Sequence, residues 1–444
     1  MKLDKLEVLI AYANETLWGI PLLALFLGVG LMYSYRLRLY QVRGIREWLR
    51  QTVGGLKRAK RGKTGITPFS AMCTALSGTM GIGNIAGVAT ALTLGGAGAI
   101  LWMWVSAILG MATGYAEKFL AVKYRQTDPI TKKHYGGAVY YIRDGLKNKP
   151  LAAIFALCFA LASFGIGNMT QANSAAQGFS ETFDIPAAIT AIALMSITAI
   201  VSIGGVTRIN SVTSKLVPLM SLFYIAGSLI VIAANARAVP GALYGIISGA
   251  FSLKPAGGGI AGYSVVLALR VGIAKGVFTN EAGLGSGVTA HAAAENTTPH
   301  RQGQWGMFEV FADTLVVCTL TALVILVSGV WTPGKAPDGI ALTALAFNSV
   351  LPFGEEFVSI SCFVFALSTI ISWSYYGESA ITYLGGRKKA KTYKILYIAA
   401  IFIGSTSKLT VVWNISEFFN GLMAIPNLLA LIALSREVPR SGAS

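Results

Sequence analysis

The chain has 444 residues, 54% hydrophobic and only 12% charged, with a formal net charge of +17. A soluble domain carries about 25% charged residues, so the composition excludes an ordinary water-soluble globular protein. A basic chain can bind nucleic acid, but here Lys and Arg occupy short loops between apolar runs, and membrane topology accounts for them better.

Eleven apolar runs are expected to cross a lipid bilayer, each near the 20 residues that a crossing needs. They cover about 17–35, 66–94, 98–122, 151–179, 185–204, 213–235, 262–289, 308–330, 357–384, 393–407 and 411–434. From Thr64 to Ala116 no residue is charged, and Gly95-Gly96-Ala97-Gly98 is the natural turn between two helices there. The tenth run is short for a crossing. The apolar stretch 340–353 reads as a helix lying on the outer face. The whole chain, 1–444, is expected to be one all-α transmembrane domain.

Basic loops orient it. The loop after the first run carries Arg36, Arg38, Arg43, Arg46, Arg50, Lys57, Arg58, Lys60, Arg61 and Lys63. That places it in the cytoplasm and the N-terminus outside. Alternation then puts Lys123 to Lys149, Arg208 to Lys215, His300-Arg301, Arg387 to Lys394 and the tail Arg436 to Arg440 inside, with Arg237 and Lys254 outside. The C-terminus is therefore expected in the cytoplasm of an inner-membrane protein. Met1 to Thr16 carries mixed charges, so no cleavable leader is expected.

Enzymatic motifs are not found. The four cysteines, Cys73, Cys158, Cys318 and Cys362, lie in apolar runs without metal-type pairing, and His134, His291 and His300 lack zinc spacing. There is no phosphate loop. Gly283-Leu284-Gly285-Ser286-Gly287 has the wrong register for a nucleophile elbow. No cofactor is expected.

Gly-x-Gly followed by a small polar residue occurs twice, as Gly81-Ile82-Gly83-Asn84 in the second run and Gly283-Leu284-Gly285-Ser286 in the seventh. The two runs cross in opposite directions, as in an inverted repeat of 66–235 and 262–434, with 17–35 as a peripheral extra helix. Either cluster alone is more often close helix packing, which Gly83-x-x-x-Gly87 would serve. The pair, each beside polar residues, points instead to two unwound helices. Broken helices in a membrane leave backbone groups that a ligand or cavity must satisfy. Half-helix N-termini can hold a carboxylate and exposed carbonyls can hold Na⁺, so one site could take a zwitterionic amino acid and a cation.

Several motifs resemble the alanine or glycine:cation symporter family. They are Gly81 to Ala91, Asn280-Glu281-Ala282-Gly283-Leu284-Gly285-Ser286, Trp102-Met103-Trp104, Tyr115-Ala116-Glu117, Gly136-Gly137 before Tyr140-Tyr141, and Ser372 to Glu378. The resemblance covers about residues 15–435. It implies a leucine-transporter-type fold of five plus five helices and symport of alanine or glycine with Na⁺. It also implies that Thr79, Gly81, Ile82, Gly83 and Asn84 meet the substrate, with Phe278, Thr279, Asn280 and Glu281 lining the pocket and Gln171 and Trp373 closing it. Ser77 and Met80 carbonyls with Ser368 and Thr369 hydroxyls would hold Na⁺. A bulky indole at Trp373 would restrict the pocket to small side chains.

Alternatives stay open for single residues. Glu281 could order unwound backbone, meet the substrate ammonium, carry a proton or serve as a structural acid, because an intramembrane carboxylate must be paired, protonated or functional. Glu117, Glu309, Asp313 and Glu378 read as interhelical pairs or gates, with Arg270 and Lys275 as candidate partners. Gln171 and Asn173 could be interhelical glue, and Ser368 and Thr369 could bond back to their own helix. Proton coupling through Glu281 or Asp313 is the alternative to Na⁺. A channel needs a continuous polar pore, which two broken helices do not supply.

Overall fold

The computed structural model describes residues 10, 12–58, 65–251, 265–334, 337, 339–407 and 409–440. Apart from one two-stranded hairpin, Gln126–Thr127 against His134–Tyr135, the ordered elements are helices.

Seven helices among the described residues are long and apolar enough to cross a membrane, against the eleven runs expected. They are Tyr12–Arg36, Gly98–Lys123, Lys149–Phe183, Gly205–Ala234, Pro299–Val327, Gly354–Thr406 and Val412–Ala433. The difference has physical causes. The run 66–94 divides into Pro68–Thr79 and Ala86–Gly95, and 262–289 divides into Val265–Asn280 and Val288–Ala292. Ala187–Ile203 is complete but only 17 residues long. The expected runs 357–384 and 393–407 are two helices that meet at a sharp kink, where Gly386 takes the non-helical φ 77° and ψ 176°, and they count once as Gly354–Thr406.

Helix starts follow local capping chemistry. Thr67 precedes Pro68, its hydroxyl accepts from Ser70 N–H at 3.1 Å, and the Ser70 hydroxyl accepts from Thr67 N–H at 2.9 Å. Asn148 before Pro150 accepts from Leu151 N–H at 3.0 Å, and Thr298 before Pro299 accepts from Arg301 N–H at 3.2 Å. Each proline sits where its missing N–H would have no helical partner.

The helix Val239–Phe251 falls in a stretch expected to be a loop, and short helices Tyr40–Arg43 and Ile45–Gln51 occupy the basic loop after the first helix. Gly339–Asn348 forms a helix within the expected 340–353 stretch. Small residues bring helices together. A Cβ on Gly98 would lie 2.4 Å from Ala250 N, one on Gly272 2.3 Å from Ala99 O, and one on Gly276 2.1 Å from Ser106 Oγ. These contacts seat Val239–Phe251 and Val265–Asn280 against Gly98–Lys123. Exposed side chains such as Ile192, Ile200, Leu219, Leu222, Ile395 and Ile403 leave an apolar outer surface suited to lipid.

Trp104 Nε1 donates to Thr319 Oγ1 at 2.8 Å, tying two helices together.

Candidate functional site

The first break starts at Met80 (φ −72°, ψ 83°), which ends Pro68–Thr79, and helix resumes at Ala86 after a 3-10 turn, Ile82–Asn84. Gly81 is extended rather than left-handed, so its requirement is space. A Cβ there would lie 2.7 Å from Gln171 Oε1 and 2.8 Å from Thr369 Oγ1.

Side chains take up the freed backbone groups, as a buried break demands. Gly81 N–H donates to Asn84 Oδ1 at 3.0 Å and Ile82 N–H to Gln171 Oε1 at 3.0 Å. Two amide oxygens thus occupy N–H groups of the kind that binds a carboxylate. On the carbonyl side, Ser77 O accepts from Thr369 Oγ1 at 2.9 Å and from Ser368 Oγ at 3.4 Å, and Met80 O faces Thr369 Oγ1 at 3.5 Å. All four residues are buried. Ser368 also bonds back to Phe365 O at 2.9 Å.

The second half of the site comes from Val265–Asn280. A Cβ on Gly83 would lie 3.0 Å from Thr279 Cγ2 and 3.5 Å from the Phe278 ring. Asn280 Nδ2 donates to Thr314 Oγ1 at 3.3 Å, while its Oδ1 accepts from Ala282 N–H at 3.1 Å. Phe278 stacks on Trp413 with centroids 5.5 Å apart, and the Lys275 ammonium lies 5.4 Å from each ring centroid. A cavity of about 330 Å³, lined by Trp18, Arg270, Lys275 and Glu417 among others, ends at Phe278. Phe278 thus lines that cavity and also neighbours Gly83.

The structure brings Gly81, Ile82, Gly83, Asn84, Gln171, Phe278, Thr279 and Asn280 together, with the Ser77, Met80, Ser368 and Thr369 oxygens adjoining. Three expected residues lie differently. The Thr79 hydroxyl bonds back to Leu76 O at 3.2 Å. Trp373 reaches the first break through Nε1 and Gly78 O at 3.2 Å, but its ring packs on Gly167, where a Cβ would come within 2.2 Å of Trp373 Cγ. Glu281 accepts from the Ser286 hydroxyl inside its own break.

At the second break Glu281, Gly283 and Gly285 have φ of 54°, 96° and 77°. Glycine takes these values without steric penalty, and Glu281 is the exception. One carboxylate organises the turn. Glu117 Oε1 accepts from Gly283 N–H at 3.1 Å, Gly285 N–H at 3.0 Å and Asn427 Nδ2 at 2.7 Å. Lys118 Nζ lies 3.5 Å from both Glu117 Oε2 and Glu309 Oε2, and Glu309 meets His291 Nε2 at 2.9 Å. Sequence patterning had not singled out Lys118 or Asn427. The signal for Asn427 was a polar side chain following Pro426 in an otherwise apolar run.

Arg270 and Lys275 do not pair with Glu117, Glu309, Asp313 or Glu378; they meet Glu15 at 3.7 Å and Glu417 at 3.2 Å. Glu378 pairs with Lys394 at 2.9 Å, and Asn173 Nδ2 bonds Gly404 O at 2.7 Å between helices.

Comparison with known proteins agrees with this geometry. The chain is 42% identical over 439 residues to an uncharacterized transporter of Haemophilus influenzae, covering 98% of this chain and 94% of the relative. It is 41% identical over 433 residues to the sodium/alanine symporter AgcS of Methanococcus maripaludis, covering 96% and 94%. The fold matches a Na⁺-coupled sialic acid symporter solved in a substrate-bound outward-open state, with a TM-score of 0.57 at 12% identity over 96% of this chain and 98% of that one. Residues 3–442 match the sodium:alanine symporter family. A multi-pass membrane chain with two broken helices, matched over nearly its whole length by this family and by relatives of this identity, has its place there: it belongs to the sodium:alanine symporter family.

Proposed function

We propose that the protein imports a small neutral amino acid, alanine or glycine, together with Na⁺ by alternating access across the inner membrane. The observation that carries this reading is the approach of the Ser77 and Met80 carbonyls to the Ser368 and Thr369 hydroxyls beside the Gly81 and Ile82 N–H groups. Oxygen donors suit a hard cation, and N–H groups at a helix break suit a carboxylate. Substrate would replace the Asn84 and Gln171 oxygens, and Na⁺ would sit among the four oxygens. Each ligand orders backbone that the other uses, which is the basis of coupling.

In this reading 66–235 and 262–434 are the two inverted halves, five helices each, and 17–35 is peripheral. The N-terminus lies outside and the C-terminus in the cytoplasm. The Phe278 cavity is then the outer approach. No covalent step is involved. The name of the archaeal relative supports alanine and sodium.

Calorimetric binding of alanine and glycine to the purified full chain, in NaCl and in choline chloride at one pH, tests the proposal. Binding that strengthens at least tenfold in NaCl supports it. Equal binding in both salts removes sodium coupling and turns attention to protons.

A further inference from the structure

A buried charge cluster stands behind the second break, and neither proposed ligand uses it. Glu117, Lys118, His291 and Glu309 are each at most 2% exposed. Two carboxylates and one ammonium leave one negative charge in excess while His291 is neutral, and none when it is charged. Glu309 Oε1 is buried without a hydrogen-bond partner, which marks the same shortfall. An unbalanced charge at this depth is costly. Glu281, within the break, accepts from Ser286. The elements packed against Val288–Ala292 also carry Tyr115, Cys73, Tyr376 and, in the hairpin, His134 and Tyr135. Past its end, Arg125 Nη1 donates to Ala294 O at 2.5 Å, and Glu295 N–H donates to Ile66 O at 2.9 Å.

The surroundings of His291 suit both of its protonation states. Its Nε2 lies 2.9 Å from Glu309 Oε2 and its Nδ1 2.6 Å from Gln302 Nε2, while Gln302 Oε1 accepts from the Thr297 hydroxyl at 3.0 Å. In the neutral ring Nε2–H donates to Glu309 and Nδ1 accepts from the amide. In the charged ring both nitrogens donate. A half-turn of the Gln302 amide then presents Oε1 to Nδ1 and Nε2 to the Thr297 oxygen, so each of these groups keeps a partner. Thr297 is only partly buried, between exposed Asn296 and Thr298, and joins this chain of contacts to water beside His300 and Arg301.

We propose that His291, with Glu309 and Gln302, is a proton-binding site open to the cytoplasm that regulates transport. The proposal rests on the topology and transport reading above, and concerns a proton that is bound but not carried. The cluster reaches the second break. Lys118 lies 3.5 Å from both carboxylates, and Glu117 holds the Gly283 and Gly285 N–H groups. A proton on His291 balances the charge and fixes the packing seen here, in which Asn84 and Gln171 occupy the Gly81 and Ile82 N–H groups. By linkage, proton binding favours this arrangement over any that pulls the four groups of the cluster apart.

The test begins with the site itself. A full chain carrying His134→Gln and His300→Gln keeps His291 as its only histidine. The NMR shifts of its ring nitrogens in detergent report charge without any need for transport. His291 should change charge reversibly between about pH 5 and pH 8, and one charge state throughout overturns the proposal. Initial alanine uptake into right-side-out membrane vesicles, whose interior is the cytoplasmic face, then reads the effect. With the exterior held at pH 7, the wild type should be about fivefold slower at interior pH 6 than at pH 8, since a charge-assisted hydrogen bond is about twice as strong as a neutral one. His291→Gln, which keeps an N–H for Glu309, should show equal rates. A wild-type rate independent of interior pH, or a His291→Gln chain with the wild-type response, overturns the proposal. Should His291→Gln fail to assemble, Gln302→Leu takes its place. It removes the amide that serves both charge states and should erase the rate difference, and a retained difference overturns the proposal. A chain whose His291 titrates but which moves no alanine supports the proton site and refutes the alanine reading, a different outcome.

Discussion

The Thr369 hydroxyl stands 2.9 Å from the Ser77 carbonyl oxygen, joining the long bent helix to the point where the first helix unwinds. This contact belongs to the proposed ion cluster, and the Thr369 hydroxyl also forms one wall around Gly81.

Thr369→Val should therefore weaken sodium activation without unfolding the protein. Loss of one oxygen ligand costs about 1–3 kcal/mol. The Na⁺ concentration for half-maximal uptake should rise about tenfold, with smaller change in alanine affinity at saturating Na⁺. Uptake against NaCl concentration measures this, and an unchanged midpoint contradicts the assignment of Thr369.

Gly81→Ala should abolish transport while leaving an assembled protein. The added methyl meets Gln171 Oε1 at 2.7 Å and Thr369 Oγ1 at 2.8 Å, in a space shared by both proposed ligands. Gly87→Ala is the control, because nothing lies within 4 Å of its added Cβ. Uptake equal to wild type in both variants would remove the first break from the site.

Glu117→Ala should destabilise the fold more than it alters ion preference. It strips the acceptor from Gly283 and Gly285 N–H and leaves Lys118 with one acid fewer. Breaking a buried, hydrogen-bonded charge pair costs about 3–5 kcal/mol. Thermal unfolding in detergent should show a clear drop for Glu117→Ala and a smaller one for Glu117→Gln, which keeps an acceptor.

The hairpin turn carries a pH dependence of known sign. Backbone N–H groups of Thr131 and Ile130, at 2.8 and 2.9 Å, and Arg387 at 2.8 Å hold the Asp128 carboxyl below its usual range. A carboxyl lowered in the folded state stabilises above its unfolded pKa of about 3.9 and loses that contribution as pH falls through the folded value. The thermal stability difference between wild type and Asp128→Asn should stay constant from pH 8 to about 5 and shrink below about pH 4. A difference independent of pH would show that the turn does not use the charge.

Much of the fold was legible because membrane helices announce themselves by length and by lack of charge. The breaks were legible from Gly81, Gly83, Gly283 and Gly285, where glycines beside polar residues mark backbone that cannot stay helical. Val239–Phe251 was missed because a 13-residue apolar run with Pro240 and three glycines resembles a loop more than a crossing. The break between the runs 357–384 and 393–407 is present at Gly386, where one glycine of positive φ stands in place of a connecting loop. Pairings such as Glu117 with Gly283, Lys118 with Glu309 and Asn84 with Asp313 span long stretches of chain, and no local periodicity encodes them. Trp373 illustrates the same limit: its position fits a pocket-closing residue, while Gly167, far away in sequence, determines where the ring lies.

The most direct test of the central claim is uptake of radiolabelled alanine into proteoliposomes with an inward Na⁺ gradient, against a choline control at constant pH. Accumulation above the equilibrium level with Na⁺ alone is the predicted result. Equal uptake in the two salts would contradict sodium-driven symport.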